Sequence, residues 1–245
     1  MKKSILLLLF LVVLVNLEAQ FKKGQRMVGS TIGNVYYNSG KTDYSDANIS
    51  GTYTSNNNNF GIGLNPNIGW FMSENTAVGT QLNLSYRHQN IFDESNGTTF
   101  RKNESSFFNF GIGGFVRNYF SSDKTMKPFA QFNLNLGIAS STSEGFSYSG
   151  NDKTTFDGKS SGDFFANAGL VGGFTKMLNP NVGLDIFAGY NYSYNKTSFK
   201  TTSKTDVGNN GSVDITAISE PEGKYSNHGF SFGLGFQIFL DPKKK

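Results

Sequence analysis

Apolar and polar residues alternate along much of this chain, and the alternation is clearest between residues 107 and 120. One set of alternate positions there is mostly apolar: Phe108, Phe110, Ile112, Val116 and Phe120. The other set holds glycine, asparagine, Phe115, Arg117 and Tyr119. A period of two predicts a β-strand, because successive side chains of a strand point to opposite faces. One apolar face and one face rich in small and polar residues are typical of a membrane barrel, which has lipid outside and a crowded polar interior.

Seven other segments alternate in the same way, so the sequence predicts an all-β chain of eight strands. The predicted strands cover residues 26–37, 60–72, 78–87, 106–120, 130–138, 164–174, 182–194 and 229–240. The predicted loops are residues 38–58, 89–104, 140–162 and 196–226, and the predicted turns are residues 73–75, 121–127 and 178–181. This order predicts an antiparallel up-and-down transmembrane β-barrel with short periplasmic turns and long extracellular loops. The outward face of the first strand is left open.

Alternation alone does not distinguish a membrane barrel from a soluble eight-stranded carrier of the lipocalin kind, whose apolar face points inward. The polar faces decide between the two, because the interior of an eight-stranded barrel is only just wide enough for side chains to fill it. Such an interior accommodates residues like Gly61, Gly63 and Asn65, but not the many Phe, Leu and Ile side chains of the opposite faces. The sequence therefore predicts that the apolar faces lie outside, against lipid.

The composition narrows the function classes. Glycine (29 residues) and phenylalanine (24 residues) are abundant, which favours strands over helices. Cysteine is absent, which excludes disulfides, thiol catalysis, cysteine-ligated metals and a lipid anchor on an N-terminal cysteine. The formal net charge of +4 is too small to indicate a nucleic-acid partner.

Residues 1–19 are predicted to form a secretory signal peptide, and residues 20–245 a single barrel domain. Lys2 and Lys3 form the charged region, residues 5–15 the apolar region, and Leu17-Glu-Ala19 a cleavage site before Gln20. The apolar run is shorter than the roughly 20 residues that a membrane-spanning helix requires. The signal predicts export of the chain.

Three stretches carry a resemblance to a known family. They are Gly-Ile-Gly-Gly-Phe-Val-Arg-Asn-Tyr-Phe at residues 111–120, Lys-Pro-Phe-Ala-Gln at 127–131, and the closing glycine–aromatic strand. With them, essentially all of the mature chain resembles the small outer-membrane β-barrel proteins of Gram-negative bacteria, of the OmpX, OmpA-barrel and PorT-like kind. The resemblance implies contact with outer-membrane lipid and lipopolysaccharide, and insertion by the barrel assembly machinery. It leaves open an envelope or surface protein as a partner.

Four residues predicted to face inward lie at similar depth near the short-turn rim. Arg117 lies three residues before the end of the fourth predicted strand, Asp185 lies three residues after the start of the seventh, and Gln131 and Gln237 are at similar distances from this rim. We predict a structural interior polar layer in which Arg117 and Asp185 compensate each other's charge and the glutamines complete the hydrogen bonding. A proton or ion gate is the functional alternative.

Other candidate chemistry is sparse, and no catalytic, metal-binding or cofactor-binding residue is predicted. His88 and His228 share the lipid-facing parity near the outer rim, but a lipid-A deacylase-type site also needs a serine and an acid, and no serine is expected beside His88. Residues 206–214 have calcium-loop spacing but lack the glutamate of the twelfth position. Arg87 is predicted to face inward near the outer rim, with Asp163 as its candidate partner.

We therefore expect a non-enzymatic integral outer-membrane protein that displays four hydrophilic loops in a structural, adhesion or envelope-complex role. Small-solute transport or association with a secretion system is the main alternative, although eight strands leave no broad water channel. A lipid-A-modifying enzyme and a soluble lipocalin-like carrier are the remaining alternatives.

Overall fold

The computed structural model describes residues 21–45, 52–120, 125–160 and 162–242, so the predicted signal peptide and residues 121–124 of a predicted turn lie outside the described residues. The described residues form ten β-strands. They are β1 (Arg26–Ser45), β2 (Thr52–Phe71), β3 (Thr76–Ser95), β4 (Thr98–Tyr119), β5 (Met126–Ser149), β6 (Asp152–Ser160), β7 (Asp163–Asn179), β8 (Val182–Asp206), β9 (Ile215–Ser219) and β10 (Glu222–Leu240). In this part of the chain, no helix has the length and apolar character needed to cross a membrane.

Eight of the strands pair edge to edge in a closed ring. The order is β1, β2, β3, β4, β5, β7, β8 and β10, and β10 pairs in turn with β1. All of these pairs are antiparallel, so the prediction of an all-β antiparallel chain is confirmed. The two shorter strands lie beyond the ring at one end, where β6 pairs with β5 and β8, and β9 pairs with β8.

The two ends of the ring differ, and the predicted loops are wrong in large part. At the short-turn end, residues 72–75 join β2 to β3 and residues 180–181 join β7 to β8. At the opposite hairpin end, strands continue through most of residues 38–58, 89–104, 140–162 and 196–226. These segments are polar on both faces, so they lack the apolar alternation that identifies the lower strands.

The turn between β3 and β4 shows how a hairpin replaces a predicted loop. Asn96 and Gly97 both have positive φ, 50° and 76°, which is the requirement of a type I′ hairpin turn. Cross-strand hydrogen bonds between polar side chains support such extensions, as between Thr154 Oγ1 and Thr205 Oγ1 at 2.9 Å. Neighbouring hairpins also pair with one another at this end, as β4 and β5 do as far as Arg101↔Ser147, so the hairpin end is a continuous sheet wall across most of the predicted loop segments.

The apolar faces of the ring strands point outward. Ile112 on β4 is 60% exposed, whereas Phe115 and Arg117, on the alternate positions of the same strand, are buried. In β1, Met27 is fully buried and Ile32 is 49% exposed. The first strand therefore directs Met27 inward and Ile32 outward, which settles the face that the sequence left open.

The interior of the ring is closed at the short-turn end by a hydrophobic floor. The floor consists of Phe21, Met27, Phe71, Tyr119, Phe129 and Phe239, all buried. The Phe21 ring lies 4.2 Å from the Phe71 ring, 4.8 Å from that of Phe239 and 4.9 Å from that of Tyr119, measured between centroids. Each buried phenylalanine contributes about 2 kcal/mol to stability. Phe21 precedes β1 and plugs the ring from below.

Two adjacent glycines of β7 test the outward orientation of the apolar faces. A Cβ at Gly173 would overlap with the carbonyl oxygen of Ile186 and lie 2.7 Å from Phe187 Cβ, whereas a Cβ at Gly172 would meet nothing within 4 Å. We expect Gly173→Val to lower the free energy of unfolding by about 1–3 kcal/mol, because overpacking forces the backbone apart. The matched Gly172→Val variant should be neutral or stabilising by up to about 1 kcal/mol.

Guanidinium unfolding of the two variants measures this difference. Equal destabilisation by both substitutions would contradict the assignment of Gly173 to the crowded inner face and of Gly172 to the open outer face.

Candidate functional site

A buried ion pair lies directly above the hydrophobic floor. Arg117 Nη1 donates to Asp185 Oδ2 at 2.7 Å, and the two side chains are 3% and 0% exposed. Arg117 Nε donates to Gln131 Oε1, and Nη1 also donates to the Tyr119 hydroxyl at 3.2 Å. The guanidinium carbon lies 4.1 Å from the centroid of the Phe129 ring, a cation–π geometry. Arg117 therefore contacts both the polar groups above it and the hydrophobic floor below it.

Asp185 has a full set of hydrogen-bond donors. Thr175 Oγ1 donates to Asp185 Oδ1 at 2.5 Å, and Gln237 Nε2 donates to Oδ2 at 3.1 Å. Both residues are fully buried. A buried carboxylate with three donors, one of them cationic, recovers much of the solvation that burial removes. Gln237 Oε1 is buried and has no hydrogen-bond partner among the described residues.

The structure brings together the four residues predicted for the interior layer. Arg117 contacts Asp185 and Gln131, and Gln237 contacts Asp185. Sequence reasoning missed Thr175, which faces Asp185 directly in the register of β7 and β8. The inward-facing alternation of β7 was the sequence signal that could have identified Thr175. We call these five residues the polar layer.

Above the polar layer, the interior opens into three cavities, and the middle one, of about 280 Å³, shares lining residues with the other two. The lower one has a volume of about 310 Å³ and is lined mainly by amides. The upper one, which we call the vestibule, has a volume of about 630 Å³ and lies at the hairpin end. Its lining combines hydroxyl groups of Ser85, Ser105 and Ser141 with the side chains of Tyr36 and Arg87. The interior is therefore closed at one end and hollow at the other.

Arg87 faces the vestibule without the predicted acidic partner. Its guanidinium lies 4.1 Å from the centroid of the Phe107 ring, and no carboxylate of the described residues lies within 4.0 Å of it. The prediction that Asp163 pairs with Arg87 is wrong: Asp163 also lines the vestibule, but its carboxylate accepts a hydrogen bond from the Ser198 amide at 2.9 Å and forms no ion pair with Arg87. Arg87 therefore has no ion-pair partner among the described residues, in an open cavity that also contains Asp163.

The two histidines lie on the outer face, and one prediction about them is corrected. His88 Nδ1 lies 3.1 Å from Ser106 Oγ, so the expectation that no serine accompanies His88 is wrong. The register of β3 and β4 places the two residues directly opposite each other. Among the described residues, no carboxylate hydrogen-bonds to this histidine, so the acid of a Ser–His–acid set is not in place. The His228 ring lies 5.9 Å from the Tyr190 ring.

Residues 206–214 use their carboxylates to order the turn itself. Asp206 accepts hydrogen bonds from the amides of Asn210 and Gly211 at 2.9 and 2.8 Å, and Asp214 accepts one from the Val207 amide at 2.7 Å. Within the described part of the chain, no group of three or more His, Asp or Glu side chains is arranged to hold a metal ion. The local geometry is that of a capped surface turn.

No protein-family model matches the sequence, and no curated protein matches it. Among solved structures, the outer membrane protein OprG from Pseudomonas aeruginosa is 11% identical, with 89% of this chain and 97% of that chain covered and a TM-score of 0.40. The outer membrane protease OmpT from Escherichia coli is 10% identical, with 91% and 99% covered and a TM-score of 0.40. A major outer membrane protein from Thermus thermophilus is 12% identical, with 88% and 100% covered and a TM-score of 0.41. Likeness at this level carries no argument about function, which depends here on the geometry alone.

Removing the cation of the polar layer should destabilise the protein strongly. We expect Arg117→Leu to lower the free energy of unfolding by about 3–5 kcal/mol, because Asp185 stays buried without its charged partner. The double variant Arg117→Leu/Asp185→Leu should be less destabilised than the single one, since no unpaired charge remains. Chemical unfolding at equilibrium measures both.

Lys200→Leu is the matched control, because Lys200 forms a 2.7 Å ion pair with Glu220 whose side chains are more than half exposed. Its effect should stay within about 1 kcal/mol. An unfolding midpoint for Arg117→Leu that equals that of the unsubstituted chain would refute the role assigned to the polar layer.

Proposed function

We propose that the chain is a non-enzymatic integral outer-membrane protein, an eight-stranded β-barrel that presents rigid polar hairpins at the cell surface. The observation that carries the proposal is the distribution of side chains around the ring. Large apolar side chains occupy the outer face of every ring strand at the level of the lower interior. In water, such a belt would far exceed the few hundred Å² that soluble monomers expose.

The ends of the belt have the chemistry of a membrane interface. Tyr86 and Tyr192 are exposed on the outer face towards the hairpin end, and Trp70 is exposed on the outer face at the short-turn end. Aromatic girdles at both boundaries are the pattern of outer-membrane barrels. The same exposures weigh against the lipocalin-like alternative, in which the apolar faces would line the interior.

The closed floor supports a display role over a transport role. The hydrophobic floor and the polar layer together fill the interior at the short-turn end. A porin needs a continuous water path, and the burial of Arg117, Asp185 and Gln237 weighs against such a path through the described residues of this layer. In our proposal the polar layer is a structural plug, and the gate alternative is disfavoured by the same packing.

The hairpin end provides a rigid surface for partners. Arg101 Nε donates to the buried Asp93 at 2.7 Å, and the ladder between β4 and β5 continues to Arg101↔Ser147. Rigid walls lose little entropy on binding. We propose that these walls contact lipopolysaccharide sugars or another envelope or surface protein, after insertion of the barrel by the assembly machinery.

The His88–Ser106 contact is the one observation that favours an enzyme acting on lipid A. The two side chains face the membrane in our proposal, where such a substrate would lie. Two of three catalytic groups are present, and the acid that orients the imidazole is not in place.

Labelling of introduced cysteines tests the proposed topology, because the natural chain has no cysteine. Ser212→Cys, in the exposed turn after β8, should react with a membrane-impermeant maleimide on intact cells. Asn181→Cys, in the exposed turn between β7 and β8, should react only after the outer membrane is permeabilised. The folded protein should also migrate differently on gels before and after heating.

The matched pair differs only in which end of the ring carries the thiol. Labelling of Asn181→Cys alone on intact cells would reverse the proposed orientation, and recovery of the protein in the soluble periplasmic fraction would overturn the membrane assignment.

The catalytic alternative predicts a different result from ours. We expect His88→Ala to leave the acylation pattern of lipid A unchanged, as measured by mass spectrometry of lipid A from expressing cells. A modification that the unsubstituted protein produces and His88→Ala abolishes would replace the display role with an enzymatic one. Ser106→Ala should then abolish the same modification.

A further inference from the structure

The ring is hydrogen-bonded all the way round only in its lower half. The ladder between β1 and β10 ends at Ile32↔Leu234, whereas β10 stays paired with β8 as far as Glu222↔Ser198 and β1 stays paired with β2 to its end. Above Ile32 and Leu234, the facing edges of β1 and β10 therefore have no ladder between them. We call this gap the seam.

A β-bulge explains why β1 leaves β10. The register between β1 and β2 shifts by one residue between Gly33 and Tyr36. A bulge bends its strand and increases the local twist. It also reverses the side-chain parity, so that Tyr36 contributes to the vestibule. The seam is thus built into the path of β1.

The seam begins within the apolar belt. Phe230 and Phe232 on β10 are 82% and 79% exposed, whereas Phe110, on the fully paired wall of β4, is 43% exposed. The difference follows from the missing neighbour on the β1 side. Unpaired backbone groups at membrane depth are tolerated where they are buried in protein or line a water-filled cavity, and the vestibule is such a cavity.

A groove on the outer surface meets the interior at the seam. It has a volume of about 460 Å³ and is lined by Ile32, Val35, Tyr36, Phe232, Gly233 and Leu234. Tyr36 also lines the vestibule, and Phe232 also lines the lower cavity. The outer groove and the interior cavities therefore share walls, and the seam lies between them.

A row of cross-strand neighbours connects the seam with Arg87. The cross-strand partners Tyr36, Gly61, Arg87 and Phe107 lie at one level on β1, β2, β3 and β4. Gly61 has no side chain, and the Tyr36 ring occupies the space that a Cβ would take. Arg87 is two strands from the seam, about 10 Å at the usual strand spacing.

We propose that the vestibule and the seam together bind a single-chain amphipathic carboxylate, with its head on Arg87 and its apolar tail passing through the seam into the membrane. This inference rests on the proposed membrane location. Arg87 supplies a charged donor beside the hydroxyls of Ser85 and Ser105, which suits a carboxylate. The groove beside Phe232 supplies an apolar surface for the tail. Because the floor is closed, the ligand exchanges with the outer leaflet and does not cross the barrel.

Equilibrium dialysis of dodecanoate against the full chain in phosphatidylcholine nanodiscs tests the proposal, with empty nanodiscs correcting for partition into lipid. We expect saturable binding that Arg87→Gln weakens about tenfold or more, the range of a lost charged hydrogen bond. Arg26→Gln, which removes an arginine at the short-turn end of β1, should leave the binding unchanged. Acetate and inorganic phosphate should not compete at the same concentration.

A tail probe tests the route through the seam. Dodecanoate brominated at its last carbon should quench a tryptophan introduced as Val35→Trp more strongly than the natural Trp70, which lies at the short-turn end. The excess quenching should disappear in the Arg87→Gln background.

Each other outcome overturns the proposal. Competition by phosphate would make the vestibule a site for inorganic anions. Equal binding of dodecanol, or quenching insensitive to Arg87→Gln, would reduce the site to apolar adsorption. Absence of saturable binding, in a preparation that passes the cysteine-labelling and gel-mobility tests, would refute this site while leaving the membrane proposal intact.

Discussion

The narrow interior of a closed ring determines where every other feature of this molecule lies. Strands alternate their side chains between the two faces, and the inner face has no room for bulky residues on all strands at one level. Inward positions such as Gly113 and Gly137 would place a Cβ against the backbone of a neighbouring strand. Large apolar side chains must therefore go outside, and they make the outer belt. Our proposal of a membrane location builds on this crowding, since the excluded side chains need an apolar environment.

The same crowding makes a buried charge tolerable at one depth. Arg117 and Asp185 lie where the hydrophobic floor excludes water from below, and their mutual attraction offsets desolvation only because Gln131, Thr175 and Gln237 complete the hydrogen bonding. Apolar residues of equal volume could fill this space. The ion pair instead links β4 to β8 across the interior, and the Gln237 hydrogen bond adds β10 on the side of Asp185. The layer and the floor together make the short-turn half a packed core.

The polar layer could be predicted from the sequence, because it required only the alternation of each strand and the number of residues from each position to the strand end. Arg117 and Asp185 could be placed together because each lies three residues from the same rim in a strand of clear alternation. The hairpin extensions could not be predicted from alternation, because residues such as Thr154 and Thr205 are polar whichever face they occupy; Asn96-Gly97 was the available signal. The His88–Ser106 contact was missed for a related reason, since the register of β3 and β4 depends on the position of that turn. Phe21 belongs to no strand, so no pattern placed it in the floor.

The lower and upper halves of the ring differ in whether β1 and β10 are hydrogen-bonded to each other. In the lower half β1 and β10 are paired, and among the described residues the hydrophobic floor and the polar layer fill the interior below the lower cavity. In the upper half the bulge at Gly33–Tyr36 turns β1 away from β10. Under the proposed membrane location, the exposed edges have to be buried in protein or to line a water-filled cavity, and the vestibule is such a cavity. In our proposal a hollow upper interior and an open seam are therefore linked, because a filled vestibule would leave the unpaired backbone without water. Arg87, which forms no ion pair among the described residues, lines this hollow part of the interior together with Asp163.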